Sequence, residues 1–154
     1  MVWDCTLGLP KKLECSEVEC CRAMPKPTSK LTVAILGASA DRSKYGNISV
    51  RAHLKQGYEV YPVNPKGGEI EGLTVYKSLA EIPPGRLTRI SVYLPPAVGL
   101  KVLPEIVARG CDELWLNPGS ESDELAEAAR AAGLDPIIAC SIVDLGVSPG
   151  QFHD

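Results

Sequence analysis

A short segment rich in glycine, serine and basic residues follows the first strongly apolar run of the chain and is suited to holding phosphate. It contains Gly37, Ala38, Ser39, Arg42 and Lys44. If a helix begins after this segment, its free N–H groups face a pyrophosphate, Gly37 allows close approach, and the Ser39 hydroxyl adds a donor. The Gly-x-Ser pattern is shorter than the full Gly-x-Gly-x-x-Gly fingerprint, so these residues alone fit a plain turn equally well.

A second segment, Val63-Asn64-Pro65-Lys66, indicates which nucleotide the first segment could accept. Folds that bind NAD normally place Asp or Glu here, at the end of the second strand, to bond the ribose 2′-hydroxyl. Lys66 instead offers a cation to an additional phosphate on the ribose, which both NADP and coenzyme A (CoA) carry. The alternative is a rigid turn with a solvated lysine, since Pro62 and Pro65 stiffen this stretch.

Two proline-containing segments follow later apolar runs, at Pro95-Pro96 and at Asn117-Pro118-Gly119. They are either rigid connections between strands and helices or the walls of a slot for an extended, weakly polar group such as pantetheine. The residues by themselves leave both interpretations open.

Short apolar runs alternate with amphipathic segments from residue 31 onward, which is typical of a parallel sheet covered by helices. We predict strands at 31–36, 58–63, 89–94, 113–116 and 136–139. Helices are predicted at 44–56, 95–110 and 120–132. Because proline is tolerated only in a first turn, Pro104 predicts that the second helix starts late or is kinked. The tail, 140–154, is predicted to be a capping loop.

This alternation predicts an α/β fold, a Rossmann-like doubly wound sheet of five parallel strands in the order 3-2-1-4-5 with helices on both faces. Ligands of such sheets bind beyond the carboxyl ends of the strands, where the strand order reverses. We therefore expect the four loops that carry the segments above to lie together.

Composition narrows the range of partners. The chain has 154 residues, the length of one domain, and a formal net charge of −3, which argues against a broad basic face for nucleic acid. Its apolar runs are far shorter than the ~20 residues of a membrane-spanning helix. The start of the chain has no basic region followed by an apolar core, so we expect a cytoplasmic protein without a secretion signal.

Six cysteines in such a chain favour reduced thiols. Four of them, Cys5, Cys15, Cys20 and Cys21, fall in residues 1–30, which we predict to be a flexible leader. Their spacing fits no standard zinc motif, and Met24 is an alternative start. Cys111 is predicted to be a core residue, whereas Cys140 could form a mixed disulfide with CoA near the end of the fifth strand.

Several motifs between residues 33 and 140 together resemble the small stand-alone CoA-binding domain proteins. They are Gly-Ala-Ser at 37–39, Lys-Tyr-Gly-Asn at 44–47, Tyr-Glu-Val-Tyr-Pro-Val-Asn-Pro-Lys at 58–66, Ile-x-Gly at 70–72, Tyr-x-Ser-Leu at 76–79, Leu-Trp-Leu at 114–116, Gly119 and Cys140. The run Tyr-Pro-Val-Asn-Pro-Lys is the most specific. The same stretch is similar to the CoA-binding domain of the succinyl-CoA synthetase α subunit.

The resemblance implies contacts with CoA. The amides of the first loop and Ser39 would hold phosphate, Lys44 and Lys66 would balance the nucleotide phosphates, and the prolines would pack against adenine and the pantetheine arm. The candidate cofactor-binding residues are Gly37, Ala38, Ser39, Arg42, Lys44, Tyr45, Val63, Asn64, Pro65, Lys66, Pro95, Pro96 and Asn117. The chain departs from the family at Asn117, where glutamine is more frequent, and at Ile138-Ala139.

Two functions follow as expectations. The first is a non-catalytic module that binds CoA or an acyl-CoA as a carrier, a sensor or a subunit, alone, as a homodimer or with a protein partner. The second is a small NADP-linked oxidoreductase or nucleotide-linked redox regulator. No complete catalytic constellation is evident, and the synthetase's phosphorylated histidine belongs to a domain absent from this sequence, where the only histidines are His53 and His153. The sequence therefore favours a binding protein over an enzyme.

Overall fold

The computed structural model describes residues 30–152, which alternate between strands and helices. The strands are β1 (Thr32–Leu36), β2 (Glu59–Val63), β3 (Glu69–Ile70), β4 (Leu73–Thr74), β5 (Leu87–Val92), β6 (Cys111–Leu116) and β7 (Pro136–Ile138). The helices are α1 (Tyr45–Lys55), α2 (Pro96–Arg109), α3 (Asp123–Ala131) and α4 (Ser141–Asp144), and 3-10 turns lie at Leu79–Glu81 and Pro149–Phe152. The predicted leader and its four cysteines fall outside the described residues.

Five parallel strands form one sheet in the order β2-β1-β5-β6-β7, and β3 and β4 form a separate antiparallel hairpin. The predicted Rossmann-like α/β class with five parallel strands is confirmed. The predicted order 3-2-1-4-5 is wrong, because the third long strand, β5, pairs with β1 and lies between β1 and β6. In the numbering of the prediction, the observed order is 2-1-3-4-5.

Burial explains this order. All residues of β5 except Thr88 are buried, as suits a strand with neighbours on both sides. Strand β2 contains Pro62, which has no N–H to give to a ladder, and an exposed Glu59, so it suits the edge of the sheet. Among residues 30–152, the segment outside β2 belongs to the connection to β5, where Tyr76 N–H donates to the Pro62 carbonyl oxygen at 2.9 Å.

Alternating side chains of the sheet form apolar layers on both faces. Ala34 and Leu36 pack in one layer with residues of α2 and α3, including Leu103 and Leu125. Val33 and Ile35 belong to a second cluster with Val50 of α1 on the opposite face. Helices therefore cover both faces, as predicted. None of the helices within residues 30–152 has both the length and the apolar character needed to cross a bilayer.

Several boundaries differ from the prediction, and β5 and β6 each begin two residues earlier, at Leu87 and Cys111. Helix α2 begins at Pro96 and continues through Pro104, so the late start is wrong; Pro96 occupies the first position, where proline's missing N–H is harmless. Helix α3 begins at Asp123 rather than at 120, because the Ser122 hydroxyl oxygen is the cap and accepts from Leu125 N–H at 3.0 Å. The tail contains α4 and a 3-10 turn instead of a plain loop.

Candidate functional site

The loop after β1 and the start of α1 lie in direct contact at the carboxyl edge of the sheet. Gly37 has φ = +88°, and a Cβ there would lie 2.9 Å from the Tyr93 carbonyl oxygen. A Cβ on Gly46, in the first turn of α1, would collide with the Gly37 carbonyl oxygen. Only glycines allow this approach, which places the N–H groups of the first turn of α1 beside the loop.

Asn64 joins the loop after β2 to the loop after β1. Its Nδ2 donates to the Ala38 carbonyl oxygen at 2.8 Å, and its Oδ1 accepts from Lys66 N–H at 2.8 Å. The N–H groups of Gly37 and Ala38 both donate to the Val63 carbonyl oxygen, at 3.1 and 3.3 Å. The Asn64 side chain thus holds the two predicted phosphate-binding loops in one arrangement.

The hairpin β3–β4 braces the same loop from the other side. Its turn residue Glu71 has φ = +50° and accepts from Arg42 Nη1 at 2.7 Å and from Asn47 Nδ2 at 3.2 Å. Asn47 Nδ2 also donates to the Ser39 carbonyl oxygen at 2.9 Å. Because Glu71 is paired with Arg42, part of the positive charge predicted for phosphate is balanced by the protein itself.

A further carboxylate lies in the first loop. Asp41 Oδ1 accepts from the hydroxyl and the N–H of Ser43, at 2.7 and 3.0 Å. These two bonds, with a smaller contribution from the Lys44 charge, lower the pKa of Asp41 below its usual value. The loop therefore keeps an ionised aspartate beside Lys44 at neutral pH.

Three cavities open along this edge, and we name them by position. The central cleft, about 330 Å³, lies between the loops after β1, β5 and β6 and is lined by Gly37, Lys44, Tyr45, Gly46, Tyr93, Leu94, Pro95, Pro118, Gly119 and Ser120. The side slot, about 70 Å³, is lined mainly by apolar residues from the end of β2, the loops after β2 and β5, and α2, including Val63, Pro65, Leu94, Val98 and Val102. The lysine cleft, about 210 Å³, is lined by Ser39, Ala40, Asp41, Asn64, Lys66, Gly67, Glu69 and Ile70.

Most predicted binding residues line one of these cavities. Gly37, Lys44, Tyr45 and Pro95 line the central cleft, Gly37, Val63 and Pro65 line the side slot, and Ser39, Asn64 and Lys66 line the lysine cleft. Ala38, Arg42, Pro96 and Asn117 line none of the three. Ala38 is fully buried in the loop after β1, and its carbonyl serves Asn64.

Asn117 is buried beneath the edge and is fully occupied by the protein. Its Nδ2 donates to Ser91 Oγ at 2.8 Å and to the Val92 carbonyl oxygen at 2.9 Å. Its Oδ1 accepts from the N–H and the hydroxyl of Ser141, at 2.8 and 3.0 Å. These bonds tie β5, β6 and α4 together, which is the arrangement of a supporting residue rather than of a ligand contact.

Several residues that line the cavities are not among the predicted binding residues, although Val98 and Ser120 lie in the loops 95–99 and 117–120, which were expected to face a ligand. Tyr93, Leu94 and Ser120 contribute to the central cleft, and Lys77 and Val98 contribute to the side slot. Tyr93 is also hydrogen-bonded to Ser141, at 3.2 Å between the two hydroxyl oxygens, and burial raises its pKa. All of these residues except Lys77 lie next to the predicted prolines, in the loops at the ends of β5 and β6 or in the first turn of α2. Their place in the sequence could therefore have identified them as cavity residues.

The two cysteines among residues 30–152 line none of these cavities, although Cys140 packs against the same buried cluster as Tyr93 of the central cleft. Cys111 is buried, burial raises its pKa to about 11, and its predicted place in the core is confirmed. Cys140 is half-buried just before α4 and lines none of the three cavities, so its predicted mixed disulfide stays a prediction. In the described part of the chain, no group of His, Cys, Asp and Glu could hold a metal ion.

His53 is a buried structural residue of α1. Its Nδ1 lies 2.8 Å from the Ser49 carbonyl oxygen, and its Nε2 lies 3.4 Å from Nη1 of the buried Arg89. Burial, helped by the Arg89 charge, lowers the pKa of His53 to about 4. Arg89 in turn pairs with Glu113 of β6 and Asp144 of α4. The imidazole is therefore neutral at physiological pH and faces a charge cluster rather than a cavity.

Known proteins are similar to this domain in sequence and in fold. The chain is 36% identical over 138 residues to the subunit alpha of acetate–CoA ligase [ADP-forming] I from Pyrococcus furiosus, which covers 79% of this chain but only 29% of that subunit. A conserved hypothetical protein from Pyrococcus furiosus superimposes with a TM-score of 0.66 at 39% identity, covering 75% of this chain and 99% of the other.

A larger solved enzyme contains the same domain. The dinucleotide-forming acetyl-coenzyme A synthetase 1 of Ca. Korarchaeum cryptofilum, in complex with phosphate and ADP, superimposes with a TM-score of 0.60 at 26% identity, covering 70% of this chain and 25% of that enzyme. The CoA binding domain family matches residues 31–146, which include every strand and helix described above. The chain therefore belongs to the CoA binding domain family.

Proposed function

We propose that this protein binds CoA or an acyl-CoA at the carboxyl edge of its sheet and acts as a non-catalytic carrier, sensor or subunit module. The observation that carries the proposal is the convergence of three sites suited to the parts of one ligand. An N–H-bearing helix start, a cavity with a lysine, and an apolar slot open side by side around the loop after β1.

Each part of CoA has a matching surface. The pyrophosphate fits at Gly37 and the first turn of α1, where N–H groups and the helix dipole favour an anion. The 3′-phosphate fits the lysine cleft, at Lys66. Adenine fits the side slot between Pro65 and Val98, and the pantetheine arm fits the central cleft along Pro95.

The absence of a carboxylate in residues 63–66 supports CoA over NAD. Two carboxylates, Asp41 and Glu69, line the lysine cleft beside Lys66, but neither stands at the end of β2: Asp41 follows β1 and accepts from Ser43, and Glu69 begins β3. The similarity to a ligase subunit also supports a module that presents CoA to a partner. The chain spans less than a third of that subunit, and the reaction of the ligase is not proposed for this protein.

The test is calorimetric titration of the protein with CoA, dephospho-CoA, NAD and NADPH. We expect CoA to bind and Lys66→Ala to weaken it about tenfold, since a hydrogen-bonded charge pair contributes about 1.4 kcal/mol or more. Dephospho-CoA lacks the 3′-phosphate, so its affinity should be the same in wild type and variant. Lys101→Ala, which removes an exposed lysine from α2, is the matched control.

Two outcomes contradict the proposal. Wild-type protein that binds NAD but is indifferent to CoA would remove its basis. Binding of NADPH in preference to CoA, lost in Lys66→Ala, would support the NADP-linked alternative instead.

A further inference from the structure

Ser120 carries a hydroxyl group whose environment is unlike that of its polar neighbours. It lies in the turn after β6, lines the central cleft and is only 3% exposed. Its N–H donates to the Asn117 carbonyl oxygen at 2.8 Å, but its hydroxyl has no hydrogen-bond partner among residues 30–152. The nearby buried hydroxyls of Ser91 and Ser141, by contrast, bond to each other at 2.7 Å.

A buried hydroxyl without a partner is unfavourable, because it loses its hydrogen bonds to water and gains none. Native proteins have few such groups, and each calls for a reason. Ser120 borders a cleft large enough for part of a ligand, so a ligand atom can supply the missing partner.

The position of Ser120 indicates which part of the ligand supplies the partner of its hydroxyl. Parallel strands are about 4.8 Å apart, so the loop after β6 lies roughly 10 Å along the edge from the loop after β1, two strands away. An arm that leaves a pyrophosphate at the start of α1 and follows the cleft past Pro95 reaches Ser120. The surroundings there include Tyr93, Leu94 and Pro118, which leave a polar atom of the arm with few other partners.

We propose that the Ser120 hydroxyl donates a hydrogen bond to a carbonyl oxygen of the CoA arm, either a pantetheine amide or the thioester of an acyl-CoA. Ser120 is then a positioning residue that holds the arm in the central cleft. This inference rests on the proposed function, because it needs CoA or an acyl-CoA as the ligand.

The test compares wild type with Ser120→Ala for three ligands. CoA and acetyl-CoA both have the arm, whereas adenosine 3′,5′-bisphosphate has the nucleotide phosphates without it. We expect Ser120→Ala to weaken CoA or acetyl-CoA about three- to tenfold, the usual effect of one hydrogen bond, and to leave adenosine 3′,5′-bisphosphate unchanged. Equal weakening of CoA and acetyl-CoA identifies an amide carbonyl, and weakening of acetyl-CoA alone identifies the thioester.

Ser122→Ala is the matched control, because it removes a nearby hydroxyl that caps α3 and does not line the cleft. Ser122→Ala should lower the melting temperature without changing the affinity for CoA or acetyl-CoA relative to the affinity for adenosine 3′,5′-bisphosphate. Ser120→Ala should leave the melting temperature of the ligand-free protein unchanged or raise it, since it removes an unpartnered polar group.

Three results would overturn the inference: undiminished binding of both CoA and acetyl-CoA by Ser120→Ala, an equal loss for adenosine 3′,5′-bisphosphate, or a lower melting temperature of ligand-free Ser120→Ala. Failure of wild type to bind CoA would be a different result, because it would refute the proposed function itself.

Discussion

Replacement of Gly46 by alanine has opposite expected effects on stability, depending on whether helix propensity or the close contact of α1 with the loop after β1 dominates. Gly46 is the second residue of α1, and alanine is favoured over glycine in helices by up to about 1 kcal/mol. Propensity alone therefore predicts that Gly46→Ala stabilises the protein. The structure predicts instead that this substitution destabilises it.

The new Cβ would collide with the Gly37 carbonyl oxygen and lie 3.2 Å from Ala38 Cα. Both are backbone atoms, which cannot rotate away as a side chain can. Overpacking of this kind costs about 1–3 kcal/mol, and the upper end applies because the loop is also held by Asn64. After subtraction of the gain in propensity, we expect a loss of about 2 kcal/mol, or roughly 5–10 °C in melting temperature for a domain of this size.

Thermal unfolding and CoA titration of the same preparation check this prediction. Gly99→Ala in α2 is the control, because its new Cβ would meet side-chain atoms of Leu125 rather than backbone, with Cδ2, at the end of that side chain, nearest at 2.9 Å. We expect little change in its melting temperature. Because Gly46→Ala pushes the start of α1 away from Gly37, it should also weaken CoA at least about tenfold. A Gly46→Ala protein as stable as wild type, or more stable, would refute the reasoning.

Two further predictions concern buried polar residues. His53 has a pKa of about 4 in the folded protein and about 6.5 in the unfolded chain, so between these pH values only the unfolded chain binds a proton at this residue. The free energy of unfolding should therefore fall by up to roughly 3 kcal/mol as the pH is lowered through this range. His53→Gln should remove that part of the decrease. Urea unfolding at pH 7 and 4.5 measures this, and parallel losses in both proteins would contradict it. Asn117→Ala breaks four hydrogen bonds and leaves the buried Ser141 N–H without its acceptor, although the Ser91 and Ser141 hydroxyls still bond to each other, so it should cost about 2–4 kcal/mol in urea unfolding. Lost CoA affinity with unchanged stability would instead mark Asn117 as a ligand contact.

The class of fold and the edge that carries the site follow from local patterns. Apolar runs of strand length and the turn residues after them were sufficient to predict five parallel strands and to place Gly37, Lys66 and Pro95 at one edge. The strand order was not predicted, although Pro62 contained the signal. A proline inside a strand favours an edge position, and the predicted order placed that strand between two others.

Pairings between distant residues could not be predicted from local patterns. Arg42 has the charge and the position of a phosphate ligand, yet its partner Glu71 is 29 residues further along the chain, in a hairpin turn that brings the two together. Asn117 likewise follows a strand as a binding residue would, but its partner Ser141 belongs to a tail that was predicted to be a loop. Such contacts depend on how elements pack, which residue types and spacing do not specify.

The side chains of Asn64 and Asn47 fix the backbone of the first loop through the carbonyl oxygens of Ala38 and Ser39. A ligand at this edge consequently meets a surface whose shape is established during folding, and its capture immobilises little additional chain. Conformational entropy lost upon association is then small, so most of the contact free energy contributes to affinity. The encounter also requires no slow rearrangement of the loop, and association should proceed in a single kinetic phase.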